Sequence, residues 1–456
     1  MQKLTIKRFM YTYFFICITL IGSFSIFLDL DFINKQGIVI VSFLINGVII
    51  LFELSKSSKV GYSLKDIFYL FLFIFMFISP LIQYLKGVFP WWNTYLLTDE
   101  KIIYTNLIIL LFLLVYLTIY KIAFKNRIII KNREVKNIRL VMDIFFVATV
   151  FCSLFIIINT GFSNLFARVN NSLQVELSSF ALIISNTFRS VSVIYVGMNL
   201  LFILKNKYVY RIIPFMLGSI LMILVNFPTA TARFWMASVY LGLLIILINK
   251  LKNPHIFKII IFIGILVIFP AINTFRNNSF VEVIRNGINI AKPADAFLAG
   301  DFDSFSMLVR TIIYADSYGV TWGNQLLGNL LFFIPRSFWP TKPIGSGSMI
   351  AEDFGWNFTN VSLPFIGEGF INFGILGVVL FAVILAMLCK FGDSKYEKCI
   401  YSENRNITFI ELIFPFSIGF LFFILRGDLL SSLSYYIGFM APVIILWLIQ
   451  SLKIRS

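Results

Sequence analysis

Residues 332–355 read FFIPRSFWPTKPIGSGSMIAEDFG. Arg336 and Lys342 stand among Pro335, Pro340 and Pro343, which fix the backbone, and ahead of Gly345 and Gly347, which let it turn tightly. A stiff scaffold that holds out cations suits a phosphate or pyrophosphate, to which arginine makes forked, charge-assisted hydrogen bonds. The same composition suits a loop anchored to lipid headgroups by Phe338, Trp339 and the cations. Glu368 lies between Gly367 and Gly369, where the chain returns to apolar sequence. A carboxylate there needs a partner or a task. Asp303, Ser306 and Arg310 share the polar side of an expected helix whose apolar side carries Phe302, Phe305, Leu308, Val309, Ile312 and Ile313. Arg189 sits about ten residues, or about 15 Å, inside an apolar run and reads as a cation pointing into a functional cavity.

The elements that must position these residues are membrane spans. Of 456 residues 59% are hydrophobic and 13% charged, and apolar runs of about 18–22 residues recur. The expected fold is all-α: a polytopic membrane protein forming one integral domain over 1–456, with about 12 transmembrane helices. The spans are expected near 10–28, 37–54, 67–85, 102–120, 140–159, 179–204, 212–227, 234–249, 256–273, 368–389, 408–425 and 431–450. Most of the 38 basic residues fall in alternate connecting segments, with seven in 121–139 alone. The positive-inside rule then puts both termini in the cytoplasm. The net charge of +16 is thereby an orientation signal, and no nucleic-acid partner is implied. One exterior loop is long, 273–367 between spans 9 and 10, and loops of that length are usually functional.

Smaller features fit this frame. The first apolar run lacks a small-residue cleavage site and reads as a retained span. Cys17, Cys152, Cys389 and Cys399 imply no exterior disulfide framework. A second loop helix is expected over 324–334, stopped by Pro335. Asp143 is expected to pair with Arg139 one turn away. Glu411 is expected to favour a helix N-terminus, and Glu53 lies near Lys56. His255 reads as a solvated loop residue and RGD at 426–428 as a tight turn.

Two loop stretches, FFIPRSFWPTKPIGSG and NVSLPFIGEGFINFGILG, together with GDFDSFSMLVRTI at 300–312 and RGD at 426–428, resemble the Wzy-type O-antigen and capsule polymerases. The resemblance covers about a quarter of the chain in detail. It implies a GT-C-like glycosyltransferase architecture in the bacterial plasma (inner) membrane. The implied reaction moves a growing glycan from undecaprenyl pyrophosphate onto the non-reducing end of a new lipid-linked repeat unit. The implied partners are the undecaprenyl-pyrophosphate-linked oligosaccharide, the bilayer, a Wzz-type chain-length regulator and a Wzx-type flippase. The leaving group needs cationic stabilisation. Arg336, with Arg276, Arg310, Lys342, Arg189 and Arg426, are the candidate pyrophosphate ligands. Glu368, then Asp303, are the candidate bases for the acceptor hydroxyl.

No cofactor is expected. The Asp-x-Asp at 301–303 resembles the metal motif of nucleotide-sugar transferases, but a lone match is weak and an exterior loop meets no nucleotide sugar, so no metal is expected. Arginine, ten residues, then glycine occurs at Arg276–Gly287 and Arg336–Gly347, about as often as chance allows. The rival functions are a flippase or transporter and an O-antigen ligase. The longest loop is exterior and late, which disfavours a two-halves carrier. The ligases rely on an exterior histidine that this sequence lacks.

Overall fold

The computed structural model describes residues 30–56, 61–123, 132–166, 179–248, 253–268, 296–401 and 405–452. Among them no strand forms, and the chain is a bundle of helices. Eight are long and apolar enough to cross a membrane: α1 (Leu30–Ser55), α2 (Leu64–Lys86), α3 (Asp99–Ile122), α4 (Ile138–Thr160), α5 (Ser179–Asn206), α12 (Phe365–Ile400), α13 (Phe409–Arg426) and α14 (Leu429–Leu452). Three shorter apolar helices follow α5: α6 (Ile212–Val225), α7 (Arg233–Leu247) and α8 (Pro254–Val267). The chain is a multi-pass membrane protein by these lengths and compositions. Eight of the expected spans coincide with the long helices; those at 212–227, 234–249 and 256–273 fall on the three shorter ones, and the one at 10–28 lies outside the described residues.

Helix α2 sits at the centre: from Ile67 to Ile78 it carries no charged residue and is buried on every side. Phe68, Phe71, Phe73 and Phe75 carry the main core outward to α1, α3, α12 and α13. A second core, built on Trp235, Phe416, Phe420 and Phe439, ties α5 and α7 to α13 and α14.

Polar contacts tie the connections together at the ends of the bundle. At one end Glu53 pairs with Lys56 and with Lys65 (2.9 Å). Lys258 pairs with Asp66 (2.9 Å) and donates to the carbonyls of Leu54 (2.7 Å) and Lys56 (2.9 Å). Asp393 accepts from the Leu64 N–H and the Tyr120 hydroxyl, both at 2.7 Å. Glu411 forms a capping box with Thr408 and pairs with Lys205 (2.7 Å), as its first-turn position implies. Asp143 differs from expectation. It pairs with Arg211 (3.3 Å) across a loop, while Arg139 donates to the Tyr208 hydroxyl (2.7 Å).

At the other end lie α9 (Ser304–Tyr318), α10 (Asn324–Leu330) and α11 (Ser346–Asp353). The expected amphipathic helix is α9, but both its sides are buried from Ser304 to Ile312, because protein rather than water meets its polar side. The second loop helix ends at Leu330, four residues before the expected stop. Helix α12 is broken at Phe373 and Gly374, where Gly374 takes φ +61°. The chain folds back so closely there that a Cβ on Gly377 would lie 1.8 Å from the Gly369 carbonyl. Only glycine fits that approach.

The Lys258–Asp66 pair gives the fold a direct test. Lys258→Met leaves a lone buried carboxylate and is expected to cost about 3–5 kcal/mol, read as a lower thermal midpoint of the detergent-solubilised protein. Lys258→Met combined with Asp66→Leu should recover most of that loss. If the single variant melts with the wild type, the pair does not hold this end together.

Candidate functional site

Five connections meet at the end that carries α9 to α11, and between them lies a cavity of about 400 Å³. Its charged walls are Arg233, Asp301, Asp303, Arg426 and Asp428, and Trp91 and Phe358 give it aromatic faces.

Arg233 begins α7, where it grips Asp301 with both terminal nitrogens, Nη1 to Oδ2 at 3.0 Å and Nη2 to Oδ1 at 2.8 Å. Arg426 ends α13. Its Nη2 donates to Asp303 Oδ1 (3.2 Å) and to the Gly300 carbonyl (3.2 Å), and its Nε to the Asp301 carbonyl (3.1 Å). Beneath it the Phe234 ring lies 5.3 Å from the guanidinium carbon and is stacked on Phe423. Asp303 therefore has a fixed set of donors: Arg426, the Ser362 hydroxyl and the Trp91 indole N–H at 2.8 Å.

Trp91 is held by its backbone. It takes φ +69° and Asn93 takes φ +58°, an uncommon state for residues with a Cβ. The buried Arg310 stabilises it by donating from Nη2 to the carbonyls of Pro90 (3.1 Å) and Trp92 (2.7 Å), with its guanidinium over the Trp356 ring. Burial lowers the Arg310 pKa to about 10, with the Asp303 charge opposing the shift, so Arg310 stays cationic at neutral pH. It is a positioning residue, one step behind Asp303.

The turn at 345–347 is locked from two sides. Asp428 Oδ2 accepts from the Gly347 N–H (3.0 Å), and its Oδ1 accepts from the N–H groups of Leu430 (3.0 Å) and Ser431 (3.4 Å) at the start of α14. Burial raises the Asp428 carboxyl above the usual carboxylate range, and these backbone donors oppose it. Glu368 grips the same two segments. It accepts from the Ser346 hydroxyl (2.9 Å), the Leu429 N–H (3.1 Å) and the Asn329 amide (3.4 Å). Glu368 is fully buried and is not among the cavity's lining residues.

Of the residues expected from sequence, the cavity brings together Asp303 and Arg426. Arg310 stands behind it. The other cations serve the backbone. Arg336 donates to the carbonyls of Lys342 (2.6 Å) and Pro343 (3.4 Å), and Lys342 Nζ to those of Phe332 (2.6 Å) and Ile334 (3.1 Å). Together they cross-brace 332–343. Burial, then the Arg336 charge, lowers the Lys342 pKa. Arg189 donates to the Val225 carbonyl at the C-terminal end of α6, where a cation meets the negative end of the helix dipole. Arg276 lies outside the described residues. Among the described residues no cluster of three metal-ligating side chains occurs.

Sequence reasoning missed Arg233, Asp428 and Trp91. Arg233 and Arg426 both stand at span ends on the expected exterior side, so that shared position was the available signal. Asp428 read as a turn residue. For Trp91 only the WW pair at 91–92 stands out.

A second cavity adjoins the first. It is apolar, about 210 Å³, and runs between α2, α7, α8 and α13 past Phe75, Leu241, Ile261 and Phe422. Phe234, Asp301 and Arg426 line both cavities. The two thus meet at a charged seam: an apolar slot on one side, a polar chamber on the other.

Gly347 tests the turn. A Cβ there would lie 2.7 Å from the Val361 carbonyl oxygen, a backbone atom that cannot swing aside. Gly347→Ala is expected to lose about 1–3 kcal/mol. Gly37→Ala, which meets open space on α1, is expected to lose nothing. Equal thermal midpoints for the two variants would show the turn to be slack.

No protein-family model, no curated protein and no solved structure matches the chain, so the case for its function rests on this pair of cavities and the residues at their seam.

Proposed function

We propose that the protein is a polymerase of lipid-linked oligosaccharide repeat units, acting in a bacterial plasma membrane on undecaprenyl-pyrophosphate-linked glycan to make O-antigen or capsular polysaccharide. The observation that carries this reading is the seam. Arg426, Asp301 and Phe234 line both the apolar slot and the polar chamber. A molecule with a hydrocarbon tail, an anionic linker and a hydroxyl-rich head matches that sequence of surfaces. The loop resemblance to the Wzy-type polymerases points to the same substrate class.

In this mechanism the isoprenoid tail lies in the apolar slot and the pyrophosphate at the seam, on Arg426 and Arg233. For Arg233 to bind phosphate, its fork must leave Asp301 and close on the phosphate oxygens, the same bidentate geometry with a new partner. The sugars occupy the chamber against Trp91 and Phe358. Asp303 takes the proton of the acceptor hydroxyl as that oxygen attacks the anomeric carbon. The bond from that carbon to pyrophosphate breaks, and the guanidiniums receive the charge that develops on the leaving group. Glu368 does not line the cavity and acts here as the clamp of the 346–347 turn, and the base role falls to Asp303, which does line it.

Arg426→Lys keeps the charge and loses the fork, and polymerisation should fall by about a hundredfold, the usual effect of removing one preorganised transition-state donor. Asp303→Asn should abolish it. Arg336→Lys should retain the product ladder, since a lysine can still donate to the Lys342 carbonyl. The measurement is the polysaccharide ladder on a gel at matched membrane levels of each variant. Wild-type ladders from both Asp303→Asn and Arg426→Lys would sink this assignment of the site.

A further inference from the structure

Helix α10 and the segment after it are inside out. Gln325 and Asn329 are 3% and 1% exposed, whereas Leu327, Leu330 and Phe333 are 48%, 58% and 53% exposed. A helix that faced water would turn its leucines inward and its amides outward. The amides have work inside: Asn329 donates to Glu368, and Gln325 Nε2 to the Met349 sulfur (2.9 Å). Trp322 and Phe338, which bracket the stretch in sequence, are exposed as well.

The neighbours of this stretch identify what covers it. The Thr321 N–H donates to the Ile371 carbonyl (2.8 Å), the Leu326 N–H to Asn372 Oδ1 (2.9 Å), and Gly323 lies against the Phe373 ring. The segment is thus fastened to the break in α12 at Phe373–Gly374. Immediately past the break, Ile375 and Leu376 are exposed on the outer face of a span. From the break to Lys390, the first charged residue, α12 has about 15 residues, roughly 22 Å at 1.5 Å per residue. The hydrocarbon layer is about 30 Å thick. The break is therefore below the acyl boundary, and so is the chain bonded to it. Irregular backbone at such depth persists only where protein satisfies its polar groups, which Thr321 and Leu326 do here.

We propose that residues 322–338 form a re-entrant arm whose Leu327, Leu330 and Phe333 face the acyl chains of the bilayer, rather than a roof standing in water. Through Asn329 and Glu368 the arm is linked to the 346–347 turn and to Asp428 at the cavity. The bilayer itself then helps to hold the site. This inference stands whether or not the protein is a polymerase.

The test is site-directed spin labelling of the full-length protein in phosphatidylethanolamine–phosphatidylglycerol vesicles. Labels go on Leu327→Cys, Leu330→Cys and Phe333→Cys, with Leu376→Cys as the lipid-facing reference and the exposed Glu352→Cys as the aqueous one. The described native cysteines are buried, and the wild-type protein supplies the background spectrum. The expected result is collision with oxygen exceeding collision with a water-soluble nickel chelate at all three sites, as at Leu376→Cys. Nickel exceeding oxygen, as at Glu352→Cys, would overturn the proposal. So would labels shielded from both reagents with dipolar broadening between copies, because a second chain would then cover the face.

Discussion

A main-chain carbonyl that leaves its helix inside an apolar bundle finds no water, and it must be given a donor by the protein. That constraint accounts for several of this chain's cations. Lys258 serves Leu54 and Lys56, Arg189 serves Val225, and Arg310 serves Pro90 and Trp92. Arg336 and Lys342 serve each other's loop. Each gives a donor to a carbonyl at a helix end or in a turn. Long cationic side chains brace the turns at 90–93 and 332–343; Trp91 in the first lines the cavity, and Gly347, just past the second, is bonded to Asp428, which also lines it.

Arg426 is where the structural duty and the site overlap. It holds the carbonyls of Gly300 and Asp301 and, with the same group, faces the seam between the two cavities. Asp303 is fixed in turn by Arg426 and by Trp91, whose strained backbone depends on Arg310. The dependence runs in one direction, from Arg310 to Trp91 to Asp303. The group with the fewest degrees of freedom left is the carboxylate on the cavity wall. In the proposed mechanism Asp303 is a base that must meet a hydroxyl in one geometry, and that restriction favours it.

Eight of the spans were legible because hydropathy is a one-dimensional signal; α2 and α13 could be placed from their apolar runs. The loop helices were legible by periodicity, but their exposure was not. In α9 the polar side meets protein, and in α10 the apolar side is the exposed one, so the rule that polar means outward fails for both. The partners of the cations were not legible for a related reason. An arginine bound to a carbonyl and an arginine poised for phosphate look alike in sequence, because the carbonyl is supplied by a turn that has no signature of its own. Asp143 shows the same limit on a smaller scale. Arg139 is one helical turn away, yet the salt bridge goes to Arg211, which tertiary packing brings alongside.

The cavity's charge balance carries a last consequence. Two guanidiniums face three carboxylates, and Arg233 and Arg426 are already paired with Asp301 and Asp303. Two bare guanidiniums in a half-enclosed chamber beside an apolar slot would bear a large desolvation cost, and the carboxylates offset it. An anion that enters therefore exchanges with a carboxylate already in place. Such an exchange conserves hydrogen bonds, so its net free energy is small, and it favours a ligand with more than one anionic oxygen over a singly charged one. The carboxylate released from Arg233 stays in the chamber, where it can only accept hydrogen bonds. A ligand rich in hydroxyl donors satisfies it, and a ligand that is anionic throughout does not. In the proposed mechanism the seam therefore suits a molecule that is polyanionic at one point, apolar on one side of it and rich in hydroxyls on the other.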